Sequence, residues 1–212
     1  MRPRRRRIAD RQPVFRDIAI PLVMTSIMLV MGIIFGSVGA QTLDQSEKGE
    51  LVEYLSRFGQ SLADSISGVR VPIQSAILTN LQKLAIIWVL AATVIGSPAI
   101  LLVIFLQGFA SGFTVALLVE EWSIRGLALA AASVVPHNLF VVSGLVLSGS
   151  AGLGHAWSTV RAVAGSGSSP WWKRLLSFSV VCLLCSILLV LAAVVESQVS
   201  PFLVRRVAPF VF

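Results

Sequence analysis

Charged residues are scarce in this chain of 212 residues. Only 13% are Asp, Glu, Lys or Arg, 56% are hydrophobic, and the mean hydropathy is +0.86. An average soluble domain has about 25% charged residues. This composition therefore excludes a soluble globular enzyme, and its apolar content excludes a disordered chain. The sequence predicts an integral membrane protein.

Cysteine is nearly absent as well. Cys182 and Cys185 lie together in one apolar run, so the sequence holds no disulfide framework. A CxxC spacing can mark a redox or zinc site, but zinc needs about four ligands and this run offers no others. We predict that both thiols pack in the core, with no metal or cofactor.

The sequence also lacks the residue patterns of soluble enzymes. It has no Walker motif and no HExxH, and His137 and His155 have no acidic neighbour in sequence. We therefore expect a protein that is not an enzyme.

What the sequence does have is a series of long uncharged windows. About 20 apolar residues cross a hydrocarbon core of about 30 Å. The window 84–119 is too long for one crossing and too short for two, and Pro98 within it suits a turn or a first helical position. We predict an all-α protein with five transmembrane helices, of which the second and third form a tight hairpin. Their predicted ranges are 18–40, 73–96, 98–119, 126–148 and 175–195.

Basic residues indicate the orientation. Seven of the 17 lie in the tail 1–17, so the net charge of +7 reflects a terminal patch that suits anionic lipid rather than nucleic acid. Arg161, Lys173 and Arg174 lie in a Gly/Ser-rich segment, 149–174, that reads as a loop. Basic residues favour the cytoplasmic side. We therefore expect a protein of the cytoplasmic membrane whose N-terminus and loop face the cytoplasm. The C-terminal tail, 196–212, is expected on the outer side.

The segment 41–72 is the only sizeable piece expected outside the bilayer. Its apolar residues recur at spacings typical of one helical face, which predicts an amphipathic helix. One interpretation is a helix that lies on its own membrane domain, and another is a helix that binds an outside partner. The candidate partner-binding residues are Leu51, Leu55, Phe58 and Leu62.

Polar residues within the predicted spans are informative because they are costly in lipid. Asn80 and Lys83 on the second span lie at a depth similar to that of Pro136, His137 and Asn138 on the fourth. We predict that the two polar sets meet inside the bundle. Interhelical hydrogen bonding is the favoured role. An ion or proton path is the alternative, although no carboxylate is expected beside them.

Small residues recur at four-residue spacing, which lets helix backbones approach closely. Internal packing is the favoured interpretation, and contact between copies in a homo-oligomer is the alternative. The three rows are Gly32 and Gly36; Gly108 and Gly112; and Gly144, Ser148 and Gly152.

The order of several motifs resembles the stage II sporulation protein M family of bacterial membrane proteins. The matching pieces are Gly32-Ile33-Ile34-Phe35-Gly36, Asn80-Leu81-Gln82-Lys83, Ile95-Gly96-Ser97-Pro98, the run Gln107 to Phe113, and Val135-Pro136-His137-Asn138. The resemblance implies a non-catalytic scaffold in the bacterial cytoplasmic membrane, acting in engulfment during endospore formation. It also implies two peptidoglycan-remodelling partners, stage II sporulation proteins D and P. The intramembrane polar residues leave a small transporter or channel subunit as the alternative.

Overall fold

A computed structural model describes residues 12–64, 73–93, 96–163, 171–200 and 202–203 of the chain. The described residues are almost entirely helical and include no strand. The helices are α1 Gln12–Gln41, α2 Gln45–Asp64, α3 Ile73–Ala92, α4 Ser97–Ser133, α5 Val135–Val163 and α6 Trp171–Val194, followed by a π-helical segment, Val195–Val199.

Five stretches are long and apolar enough to cross a membrane, which confirms the predicted fold class. They are Ala19–Gln41, Ile73–Ala92, Ser97–Ser133, Val135–Ala162 and Trp171–Val199. α2 is the remaining helix, and its glutamates, lysine and arginine make it too polar for such a span.

α4 is broken at Ser123, whose φ of 49° and ψ of −125° are not helical. The chain reverses its direction at this residue. The close approach of Gly126 to Leu118 shows the reversal, since a Cβ on Gly126 would lie only 1.8 Å from the carbonyl oxygen of Leu118. Residues 124–133 therefore pack back along the preceding turns of α4. Beyond them the chain passes almost without interruption into α5, since Val134 N–H donates to the Ala130 carbonyl and its own carbonyl accepts from Asn138 N–H.

The prediction of a loop at 149–174 is wrong for residues 149–163, because these residues are helical and belong to α5. The glycines in this stretch serve helix packing rather than a turn. A Cβ on Gly149 would lie 2.5 Å from Cδ1 of Ile104, and one on Gly152 would lie 3.2 Å from Cδ1 of Ile100. Small residues at this spacing let α5 approach α4 closely.

The predicted ends of the second and fifth spans also shift. α3 ends at Ala92 rather than at residue 96. Gly96 lies so close to the last turn of α3 that a Cβ there would lie 2.3 Å from the Leu90 carbonyl oxygen. α6 begins at Trp171 rather than 175. The break between Ala92 and Ser97 falls where the turn of the hairpin is predicted.

The bundle core is formed by α3, α4, α5 and α6. Its fully buried large side chains are Ile87, Ile100, Ile104, Val141, Leu145 and Leu189. Cys182 and Cys185 are free, buried thiols in the same core, as the sequence predicts.

The two ends of the bundle differ. The ends of α3 and α5 and the starts of α4 and α6 lie together at one end, which we call the basic end after Arg161, Lys173 and Arg174. The start of α2 lies at the other, where Lys48 forms an ion pair with Glu120 just before the Ser123 break. Leu203 packs at this α2 end as well, against the cluster that contains Leu118 and Leu129.

Candidate functional site

A chain of hydrogen bonds joins three helices inside the bundle. Lys83 Nζ on α3 donates to Oε1 of Gln107 on α4 across 2.9 Å, and Gln107 Nε2 donates to Oδ1 of Asn138 on α5 across 3.2 Å. Asn138 Nδ2 in turn donates to Ser111 Oγ, back on α4, across 2.7 Å. These bonds satisfy polar groups that the surrounding apolar side chains cannot pair.

The predicted meeting of the two polar sets is only partly what the structure shows. Lys83 and Asn138 are linked, but Gln107 stands between them. Asn80 is buried and its Nδ2 donates to the Leu189 carbonyl on α6 across 3.3 Å. His137 Nδ1 lies 3.2 Å from the Ser133 carbonyl one turn earlier, and Pro136 is half-buried beside it.

A cavity of about 180 Å³ opens beside this network. It extends along α3 from Ser75 to Lys83, which at 1.5 Å per residue is about 12 Å. The lining residues are Ser75, Ala76, Thr79, Asn80, Lys83, Gln107, His137, Val141 and Glu196. We call this space the polar cavity.

Glu196 is the residue that sequence reasoning missed. The expectation that no carboxylate accompanies the polar set is wrong, because Glu196 lines the same cavity as Lys83. The predicted fifth span ended at residue 195 and left Glu196 in the tail, whereas the helix continues as a π-helical segment through Val199. Such π-helical segments occur often at functional sites. No feature of the sequence, however, indicates the segment that directs Glu196 toward the cavity.

Gln107 was also missed as a site residue. A glutamine within a long apolar run is itself a signal, because a side-chain amide in lipid requires partners. Here it accepts from Lys83 and donates to Asn138, which makes it the centre of the network.

The glycine rows are used within the chain. A Cβ on Gly36 would lie 2.1 Å from the carbonyl oxygen of Phe109, and a Cβ on Gly112 would lie 2.2 Å from that of Ile33. Gly32 and Gly108 make equally close approaches across the same α1–α4 interface. The third row packs against α3, α4 and α6, with Ser148 fully buried. All three rows therefore lie in internal interfaces rather than on a surface open to a second copy.

The described side chains of α2 meet the bundle at the first turn of the helix. The Lys48–Glu120 ion pair fastens its first turn to α4. Leu51 is half-buried and, with Leu43 and Tyr54, borders a shallow groove of about 440 Å³. The side chains of Leu55, Phe58 and Leu62 lie outside the described residues, so the predicted apolar face stays a prediction.

Within the described ranges, no group of three or more His, Cys, Asp or Glu residues is placed to hold a metal ion. The functional groups available are amides, hydroxyls, one lysine, one histidine and one glutamate around the polar cavity. They can bind polar solutes or ions and can tie helices together.

Five apolar spans, a glycine-packed helix pair and a buried polar network define a multi-pass α-helical membrane protein. The chain belongs to the family described as Stage II sporulation protein M, whose model matches residues 25–201, and it is thus a sporulation-related membrane protein. It is 23% identical over 185 residues to an uncharacterized protein of Methanocaldococcus jannaschii. That alignment covers 86% of this chain and 94% of the relative. No solved structure is significantly similar.

Proposed function

We propose that this protein is a non-catalytic scaffold that recruits and anchors peptidoglycan-remodelling partners during engulfment in endospore formation. Family membership supports the sporulation context. The partners we propose are stage II sporulation proteins D and P, which the family resemblance implies. The protein would offer them a fixed point in the bacterial cytoplasmic membrane.

The orientation we propose follows from the basic residues. The N-terminal tail and the basic end of the bundle face the cytoplasm, because cytoplasmic flanks carry an excess of Lys and Arg. With five crossings, α2 and the C-terminus then face the opposite side, where the cell wall lies. In this orientation α2, the most polar of the described helices, lies on the side where the proposed partners would act.

The observation that carries the proposal is the position of α2. This 20-residue helix is attached to the bundle in its first turn through the ion pair between Lys48 and Glu120. Further along α2, Tyr54 is 69% exposed and therefore available to a partner. Helices of this kind bind partners through residues at i, i+4 and i+7.

A membrane pull-down tests this proposal. The double substitution Leu55→Glu/Phe58→Glu places two charges on the predicted apolar face of α2. A triple variant that also carries Leu51→Glu adds a third charge on that face, at a residue whose side chain the structure describes. We expect recovery of the two proposed partners to fall at least about tenfold, because burying an unpaired carboxylate in an interface costs several kcal/mol.

The matched control is Ser56→Glu/Gln60→Glu, which adds the same charge on the opposite face of the same helix. It should leave recovery unchanged. Undiminished partner recovery with Leu55→Glu/Phe58→Glu would overturn the docking role of α2.

A second candidate function is a small transporter or channel subunit. Glu196 favours it, because a carboxylate and Lys83 share one intramembrane cavity, and ionisable residues there often mark ion or proton pathways. Solute flux in proteoliposomes discriminates the two. Lys83→Met, His137→Leu or Glu196→Gln would change flux in a transporter, whereas a scaffold keeps its partner recovery and shows no flux in any form.

A further inference from the structure

A groove runs between α5 and α6, well away from the polar cavity and from α2. Its volume is about 650 Å³, within the range of 300–1,000 Å³ that is typical of small-molecule sites. Most of its wall is apolar. The apolar lining comes from Leu147 and Ala151 on α5 and from Val181, Leu184 and Leu188 on α6.

One end of the groove is polar and basic. Lys173 and Arg174, in the first turn of α6, lie opposite His155 and Ser158 on α5, and Ser177 follows one turn on. Arg174 Nε is buried without a hydrogen-bond partner among the described residues. A buried guanidinium N–H without a partner is costly, so this end is suited to an oxygen-rich anion.

The basic end of the groove carries residues that are typical of a membrane interface. Trp157, Trp171 and Trp172 are exposed around it, and tryptophan is enriched at the headgroup level of bilayers. Arg161 lies 5.3 Å from the ring centroid of Trp157, and Lys173 lies 5.5 Å from that of Trp172. These contacts hold cations at the depth of lipid phosphates.

The length of the groove matches one leaflet. From Lys173 to Leu188 along α6 there are 15 residue steps, or about 22 Å of helix. Half of a bilayer of about 40–45 Å, headgroup regions included, is about 20–22 Å. A lipid whose phosphate lies at Lys173 and Arg174 therefore reaches the deep end of the groove with its acyl chain.

We propose that this groove is a binding site for an anionic phospholipid. The headgroup phosphate accepts hydrogen bonds from Arg174 and Lys173, and one acyl chain lies along Leu147, Val181 and Leu184. Charge complementarity selects the headgroup, and the apolar wall distinguishes a lipid from free phosphate. Basic pockets between transmembrane helices bind lipid headgroups in this manner.

Lipid titration by native mass spectrometry of the full chain tests the proposal, with dioleoylphosphatidylglycerol and dioleoylphosphatidylcholine as probes. Each basic side chain near an anionic headgroup contributes about fivefold in affinity. We expect the native chain to bind phosphatidylglycerol about 30-fold more tightly than phosphatidylcholine, and inorganic phosphate not to compete. Lys173→Gln/Arg174→Gln should abolish the preference.

Two further variants serve as a charge control and as a test of the apolar wall. Arg57→Gln/Arg125→Gln removes the same charge away from the groove and should retain the preference. Leu184→Trp narrows the apolar part, leaves both cations in place and should lower phosphatidylglycerol binding about tenfold or more. Equal binding of the two lipids by the native chain, or equal effects of the two double substitutions, would overturn the proposal. So would competition by inorganic phosphate or an unchanged affinity in Leu184→Trp.

Discussion

Replacing Gly112 with leucine is expected to separate α1 from α4 and to destabilise the protein by about 3 kcal/mol or more. The added Cβ would lie 2.2 Å from the Ile33 carbonyl oxygen, and a backbone atom cannot move aside as a side chain can. Overpacking a close interface costs about 1–3 kcal/mol even where side chains can adjust. Here the α1 backbone itself has to move, so the penalty should exceed that range.

Unfolding in a mild detergent, followed by circular dichroism against increasing sodium dodecyl sulfate, measures this effect. Gly49→Leu is the matched control, because a Cβ on Gly49 in α2 meets nothing within 4 Å. That variant should unfold like the native chain. If Gly112→Leu shifts the transition no more than Gly49→Leu does, the glycine-mediated contact between α1 and α4 does not form.

Replacing Gln107 with leucine should lower the free energy of unfolding by about 3 kcal/mol. The variant removes both hydrogen bonds of the Gln107 side chain and leaves Lys83 and Asn138 without that partner. A single interhelical hydrogen bond contributes only about 0.6 kcal/mol. A charged lysine at the centre of a membrane helix costs about 2.5–3.5 kcal/mol, so the larger part of the loss comes from Lys83, even though Glu196 lines the same cavity.

A double-mutant cycle separates these contributions. Lys83→Met in the Gln107→Leu background removes the stranded ammonium, so the double variant should be more stable than the sum of the single losses by at least about 1 kcal/mol. Ser143→Ala is the control, because the Ser143 hydroxyl is exposed and donates only to the Leu139 carbonyl of its own helix. Strict additivity would show that Lys83 and Gln107 do not interact.

The sequence determined the fold class because lipid leaves few choices. Uncharged windows near 20 residues define the spans, and a proline next to serine marks the α3–α4 turn. The element boundaries were less predictable. Glycine and serine at 149–163 look like a loop in water, yet in a bundle they are the residues that let α5 pack on Ile100 and Ile104. Local composition alone does not separate these two uses.

The polar site was half predictable for a similar reason. Polar residues in apolar runs indicate that Asn80, Lys83 and Asn138 face inward, since each needs a partner. Which partner each one finds depends on helix rotation. The rotation of α4 about its axis places Gln107 between Lys83 and Asn138, and the π-helical segment directs Glu196 toward the cavity. Neither rotation is encoded in the spacing of residues along one helix.

Labelling of single cysteines with a membrane-impermeant maleimide tests the central claim most directly, namely that three crossings separate α2 from the segment between α5 and α6. Glu50→Cys lies on α2, and Ser168→Cys lies in that segment. The parent chain is the control, because buried Cys182 and Cys185 should not react. On intact cells we predict that Glu50→Cys is labelled and that Ser168→Cys is labelled only after permeabilisation. Labelling of both positions from the same side would contradict the account.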